Sequence, residues 1–157
     1  MGPALLKLLP VVLAFVPLRA QSLQILPSPP PSADARSRAF QIMIVTPQEK
    51  PLAALQCRIS VTRGVTLKTQ DIEAGDAARE ADKSLTCTVS NLGPRHGSGV
   101  VCVLAGGSQR IPNGAVVQAH FEVDKGARAV TVWLDKVLGA TSDGKPVPIP
   151  DLQRVIR

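Results

Sequence analysis

The strongest constraint on this chain is a hydrophobic period of two that recurs along its central part. In residues 54–62, Leu55, Cys57, Ile59 and Val61 alternate with Gln56, Arg58, Ser60 and Thr62. Residues 84–90 set Leu85, Cys87 and Val89 against Thr86, Thr88 and Ser90. Residues 115–124 set Ala115, Val117, Ala119, Phe121 and Val123 against Gln118, His120, Glu122 and Asp124. Successive side chains of a strand point to opposite faces, so each stretch reads as a strand with one buried and one wet face. Several such strands separated by Gly, Pro, Asn and Asp turns define an all-β sandwich.

The segments between them fit that reading. Residues 40–46, Phe-Gln-Ile-Met-Ile-Val-Thr, are rich in β-formers and make a first strand. Residues 65–69 form a short strand with Val65 and Leu67 inward, and residues 100–104 and 129–134 supply two more. Pro146, Pro148 and Pro150 confine residues 146–150 to a sheet edge, because proline donates nothing to a ladder. Residues 72–83 break the alternation; Ala74-Gly75-Asp76-Ala77-Ala78-Arg79-Glu80-Ala81 reads as a loop with at most a short helix. Turns fall at 91–99, 106–107, 112–114 and 142–145, and no internal repeat is visible.

The ends differ from the middle. Residues 1–20 carry Lys7, an apolar run from Ala4 to Val16, and Leu18-Arg19-Ala20 before a cleavage point, the pattern of a signal peptide. A membrane-spanning helix needs about 20 apolar residues, and this run is shorter and broken by Pro10 and Pro17. The expectation is therefore a secreted protein, extracellular or periplasmic, with no membrane span after cleavage. Residues 21–38 include Pro27-Ser28-Pro29-Pro30-Pro31 and read as a Pro-rich linker of extended polyproline geometry. Residues 39–150 form the sandwich domain and residues 151–157 a polar tail. That length suits one domain.

Charge and composition exclude one class of partner. The chain carries a formal net charge of +6, which loss of Lys7 and Arg19 with the leader lowers to +4. The basic residues are scattered singly, aromatics make up 3%, and there is no Tyr. Nucleic-acid binders gather such charges into patches, so no nucleic-acid partner is expected.

The residues able to carry chemistry form no catalytic or metal constellation. Cys87 and Cys102 both face inward, on strands joined by the 91–99 connection. In an exported protein they are expected to form a disulfide, the alternative being two free buried thiols. Cys57 is left over as a buried thiol, and three cysteines without paired spacing are no zinc site. His120, Glu122 and Asp124 point the same way, but exposed alternation alone places them there. His96-Gly97-Ser98-Gly99 lacks the spacing of a nucleophile elbow. Gly106-Gly107-Ser108-Gln109-Arg110 lacks the lysine of a phosphate loop, and Asp143-Gly144 lacks the acidic partners of a calcium loop. No cofactor and no enzymatic activity are expected.

A family resemblance rests on motifs in a fixed order. Leu55-Gln56 lies on a strand, and Gly75-Asp76-Ala77-Ala78 precedes Lys83-Ser84-Leu85-Thr86-Cys87. Asn113-Gly114-Ala115-Val116-Val117 opens the next strand, and Leu138-Gly139-Ala140-Thr141-Ser142-Asp143-Gly144 comes near the end. Together they resemble a cohesin-like domain over residues 39–150, with one departure: the position after Leu55-Gln56, often aromatic in such modules, is Cys57. The resemblance implies a jelly-roll β-sandwich of about nine strands, an architecture shared with cellulose-binding modules. It also implies non-catalytic recognition of a dockerin-like or surface protein, or of a polysaccharide. The aromatics of the mature chain are Phe40, Phe121 and Trp133. Trp133, outward with Thr131 and Asp135, is the candidate ligand contact. One indole without Tyr is a poor sugar platform, so a protein partner is the leading expectation and carbohydrate binding the alternative.

Overall fold

The alternating stretches pair into two antiparallel sheets that close on a shared apolar layer. The computed structural model describes residues 22–30, 34, 36–45, 50–91, 97–127 and 129–157. Along them run β1 (Ser22–Ser28), β2 (Ser37–Val45), β3 (Ala54–Val61) and β4 (Val65–Thr66). A 3-10 turn (Thr69–Asp71), β5 (Ile72–Ala74), the single helical turn α1 (Asp76–Glu80), β6 (Ser84–Val89) and β7 (Gly99–Ala105) come next. β8 (Gly114–Val123), β9 (Val130–Ala140), β10 (Pro146–Pro148) and β11 (Leu152–Ile156) complete the chain. One sheet runs β1-β2-β8-β4 with β5 also on β8; the other runs β10-β9-β3-β7-β6 with β11 also on β9. About nine strands were expected and eleven are present among the described residues, β4, β5 and β10 being only two or three residues long.

The inner faces carry the residues that the alternation singles out. Phe40, Ile42 and Ile44 from β2 and Val117, Ala119 and Phe121 from β8 pack against Ile59 and Val61 of β3, Leu104 of β7 and Leu134 of β9. The rings of Phe40 and Phe121 lie 5.9 Å apart at a tilt of 53°, within the range where aromatic pairs attract beyond their area. Val65 and Leu67 are also buried, and β10 is an edge strand, as its prolines require.

Two bulges adjust the ladders. Ile42 pairs with Val117 but Met43 with Ala115, so Val116 is the extra residue on β8. Val116 is fully buried and its carbonyl accepts the Gly75 N–H at 3.0 Å. A Cβ on Gly75 would lie 2.3 Å from the Ala115 oxygen, so only glycine lets the chain pass there into α1. The second bulge lies between Gln56, opposite Leu138, and Arg58, opposite Asp135. Lys136 takes a positive φ of 49° there.

Four expectations are corrected. Ser22–Ser28, read as part of a linker, is a strand: it pairs with β2 from Ser22↔Val45 to Ser28↔Ala39 and buries Leu23 and Ile25. Residues 152–156, read as a polar tail, form β11 on β9 and bury Ile156. The folded part thus extends beyond residues 39–150 at both ends. Residues 72–83 contain β5 on β8 as well as the helical turn. Val89, expected inward, is 73% exposed, because β6 is the outermost strand and its end runs past the core. Residues 1–20 and His96 lie outside the described residues. No helix among the described residues is long and apolar enough to cross a membrane.

Candidate recognition surface

The outer face of the six-stranded sheet is built in cross-strand rows. One row is Thr86, Val103, Gln56 and Leu138, from β6, β7, β3 and β9. The next is Thr88, Val101, Arg58 and Asp135. A third joins Ser60, Trp133 and Gln153, and a fourth pairs Thr131 with Val155 on β11. Neighbouring strands stand about 4.8 Å apart, so the rows make a nearly continuous platform.

Its chemistry is mixed, with apolar groups exposed. Val103 is 39%, Leu138 50% and Val155 51% exposed. These are three of the four exposed large hydrophobics of the described chain, the fourth being Val89. At the centre, Arg58 makes a bidentate contact to Asp135, Nε to Oδ1 at 2.5 Å and an Nη to Oδ2 at 2.7 Å. That hydrogen bond raises the already high pKa of the guanidinium further. The two charges thereby compensate each other within the sheet, and the pair carries no net charge. The Trp133 Nε1–H donates to Gln153 Oε1 at 2.7 Å, holding the half-buried indole down along the sheet. Ser60, expected on the wet side, is buried opposite Trp133, and its hydroxyl has no partner among the described residues.

The other sheet presents a different outer face. There Gln24, Gln41, Gln118, His120 and Glu122 dominate, with Leu26 and Met43 half-buried. His120 Nε2 lies 3.6 Å from Glu73 Oε1. His120, Glu122 and Asp124 line a groove of about 440 Å3 together with Arg36 and Lys68. No group of three metal-ligating side chains is present among the described residues.

Beneath the platform lies a row of three cysteines. Cys102 on β7 is in register with Cys87 on β6 and with Cys57 on β3. The structure joins Cys87 to Cys102, with Cα atoms 4.1 Å apart, and leaves Cys57 free and buried. Burial, with the nearby Asp135 charge, pushes the Cys57 thiol up to about 12, so it is protonated and unreactive at neutral pH.

Of the residues singled out in sequence, Trp133 stands on this platform and Cys87 and Cys102 support it from below. Val101, Val103, Leu138 and Val155 were missed. A signal for the first two existed: Val100-Val101-Cys102-Val103-Leu104 is apolar at every position, where a strand with one wet face should alternate.

The architecture is that of a cohesin-like module. It is similar to a non-cellulosomal cohesin from Archaeoglobus fulgidus, with 13% identity and a TM-score of 0.59 over 86% of this chain and 91% of that one. It is also similar to the sixth cohesin of scaffoldin B from Acetivibrio cellulolyticus, solved in complex with a dockerin: 11% identity, TM-score 0.58, 85% of this chain and 96% of the other. A type I cohesin–dockerin complex from Clostridium thermocellum matches at 12% identity and TM-score 0.58, over 84% and 96%. No family model and no curated protein matches the sequence.

Proposed function

We propose that this chain is an exported, non-catalytic recognition module that binds a protein partner through the outer face of its six-stranded sheet. The observation that carries the reading is the concentration of exposed apolar side chains there: Val103, Leu138 and Val155 share one face. Scattered apolar residues need no explanation, but their gathering on one flat, mostly uncharged face is the signature of an interface. Among the described residues the opposite sheet offers no comparable group. Two of the similar structures are cohesins with a dockerin bound, which supports a dockerin-like or surface protein as the partner. Export is supported by the leader pattern of residues 1–20 and by the Cys87–Cys102 bond.

Polysaccharide binding is the weaker reading, because sugar stacking needs a row of exposed aromatic faces. This platform has Trp133 alone, half-buried and tied to Gln153. The test is parallel capture of secreted proteins and of insoluble polysaccharide by the wild type, Leu138→Asp, Trp133→Ala and a control on the other sheet, Gln24→Asp. Leu138→Asp is expected to abolish protein capture, with the control unchanged and Trp133→Ala largely intact. Loss of polysaccharide retention in a folded Trp133→Ala variant, with protein capture absent throughout, would sink the proposal.

A further inference from the structure

The edges of the two sheets are guarded unequally. A free edge strand offers unpaired backbone groups to any other strand, and sequences blunt it with proline, charge or short length. β1 carries Pro27, β10 carries Pro146 and Pro148, β11 carries Arg154, and β4 and β5 are two and three residues long. β6 has none of these. Ser84-Leu85-Thr86-Cys87-Thr88-Val89 holds no proline, glycine or charge, and it pairs with β7 over its whole length without a bulge. Lys83, the charge immediately before it, is buried and donates its ammonium to the Gly106 and Gly107 carbonyls, so it does not guard the edge. We propose that β6 pairs antiparallel with β6 of a second copy of this chain, centred on Cys87, and so joins two six-stranded sheets into one.

The direction of each backbone group sets the register. The Ser90 N–H donates to the carbonyl of Gly99, opposite it, at 2.9 Å. Bonded and non-bonded positions alternate along an antiparallel pair, so Ser84, Thr86, Thr88 and Ser90 turn their backbone groups toward β7. Those of Leu85, Cys87 and Val89 turn toward the free edge, and among the described residues no backbone hydrogen bond reaches them. The strand also comes near β5 and the 3-10 turn, without a backbone bond to either. Centred on Cys87, two copies set Cys87 opposite Cys87 and Leu85 opposite Val89, and every outward donor and acceptor is satisfied. The same register sets Thr86 opposite Thr88 and Ser84 opposite Ser90, so like meets like on both faces. Val89, 73% exposed in the single chain, gains Leu85 of the second copy as its neighbour. A shift by two residues would set Val89 opposite Lys83 or Leu85 opposite Asn91, and a shift by one would turn the backbone groups apart. The edge itself is uncharged, so two copies of a chain with net positive charge meet there without local repulsion. A foreign strand would satisfy the backbone as well, but the side-chain match is between this strand and itself. The inference stands apart from the protein-binding reading of the platform.

The test is sedimentation and amide hydrogen exchange of the secreted protein between about 10 μM and about 1 mM. Expected is a monomer–dimer equilibrium in which the amides of Leu85, Cys87 and Val89 become protected as the dimer forms. Those of Thr86, Thr88 and Ser90, bonded to β7, should be protected throughout. Val89→Pro removes an outward donor from each copy and no bond to β7. It should weaken dimerisation by about tenfold or more, with the Thr86 and Thr88 amides still protected. Thr86→Lys combined with Thr88→Lys sets like charges opposite each other and should weaken it on the order of tenfold. Thr86→Glu combined with Thr88→Lys makes the opposed pairs complementary and should restore it, a recovery specific to this register that a damaged fold cannot imitate. A monomer at every concentration, a dimer unaffected by Val89→Pro, or an oppositely charged combination no tighter than the like-charged one would overturn the proposal. Protection of Leu85, Cys87 and Val89 only after a different protein is added would assign the edge to a foreign strand and overturn it equally.

Discussion

Cys102 has two cysteines in register with it and bonds only one, and the geometry of the sheet says why. Opposed residues in an antiparallel pair alternate between close sites, with Cα atoms about 4.5 Å apart, and wide hydrogen-bonded sites at about 5.5 Å. The Cys87–Cys102 separation of 4.1 Å marks that pair as the close kind. A residue's N–H and C=O point to the same side of an antiparallel strand, so those of Cys102 turn toward β3. The Cys57–Cys102 pair is therefore the wide kind, poorly set for a bond. Replacing Cys87 by Ala should then leave Cys102 a free thiol instead of passing the bond to Cys57. The bridge closes a separation of 15 residues, for which chain entropy gives about 3 kcal/mol. Urea titration of Cys87→Ala should show a loss of that size, matched by reduction of the wild type, and the melting temperature should fall by roughly 10 °C. The variant should stay folded, because domain stabilities run to about 5–15 kcal/mol. Alkylation in denaturant followed by mass spectrometry should label both Cys57 and Cys102. A Cys57–Cys102 bridge in the variant, or a stability within about 0.5 kcal/mol of the wild type, would refute the argument.

Three further outcomes follow from other parts of the structure. Val117→Asp should prevent folding, since Val117 is buried opposite Ile42 and an unpaired buried charge costs several kcal/mol. Gln118→Asp, facing outward opposite Glu73, should cost at most about 1 kcal/mol; equal thermal melts for the two would invert the face assignment. Gly75→Ala should destabilise by about 3 kcal/mol or more, because the new Cβ meets the backbone at Ala115, whereas Gly107→Ala, with nothing within 4 Å, should cost only about 1–2 kcal/mol, for its left-handed backbone (φ 53°), by the same denaturation assay. The Thr141 hydroxyl and the Lys145 ammonium hold the Asp143 carboxyl down at about 2, below its ordinary 3.8. A folded value below the unfolded one means that the turn's contribution is complete above the ordinary value and is lost as pH falls toward 2. A carbon-detected carboxyl titration should show that midpoint in the wild type and a return toward 3.8 in Thr141→Val.

The inner faces of the sandwich were legible because the signal is local. Leu55, Cys57, Ile59 and Val61 are all buried, as are Val100, Cys102 and Leu104, and Val117, Ala119, Phe121 and Val123. A period of two needs no knowledge of the neighbouring strand, only that one face will be covered. The motif order carried the cohesin-like resemblance for the same reason: turns and strand starts are short-range features. Where the reading failed, the cause was long-range. Leu23 and Ile25 alternate, yet the prolines that follow them outweigh a strand reading until β2 supplies an edge to pair with. Residues 152–156 look polar because β11 lies at the sheet's margin and buries chiefly Ile156.

The outer platform belongs to the tertiary structure alone. The sequence shows Val103, Leu138 and Val155 as three separate apolar residues, each unremarkable in isolation. They become one face only when β7, β9 and β11 take their places and registers in the six-stranded sheet. Alternation along a strand determines what is inside, because water is excluded residue by residue; which outside residues become neighbours depends on strand order, and strand order is settled by pairing between segments far apart in the chain.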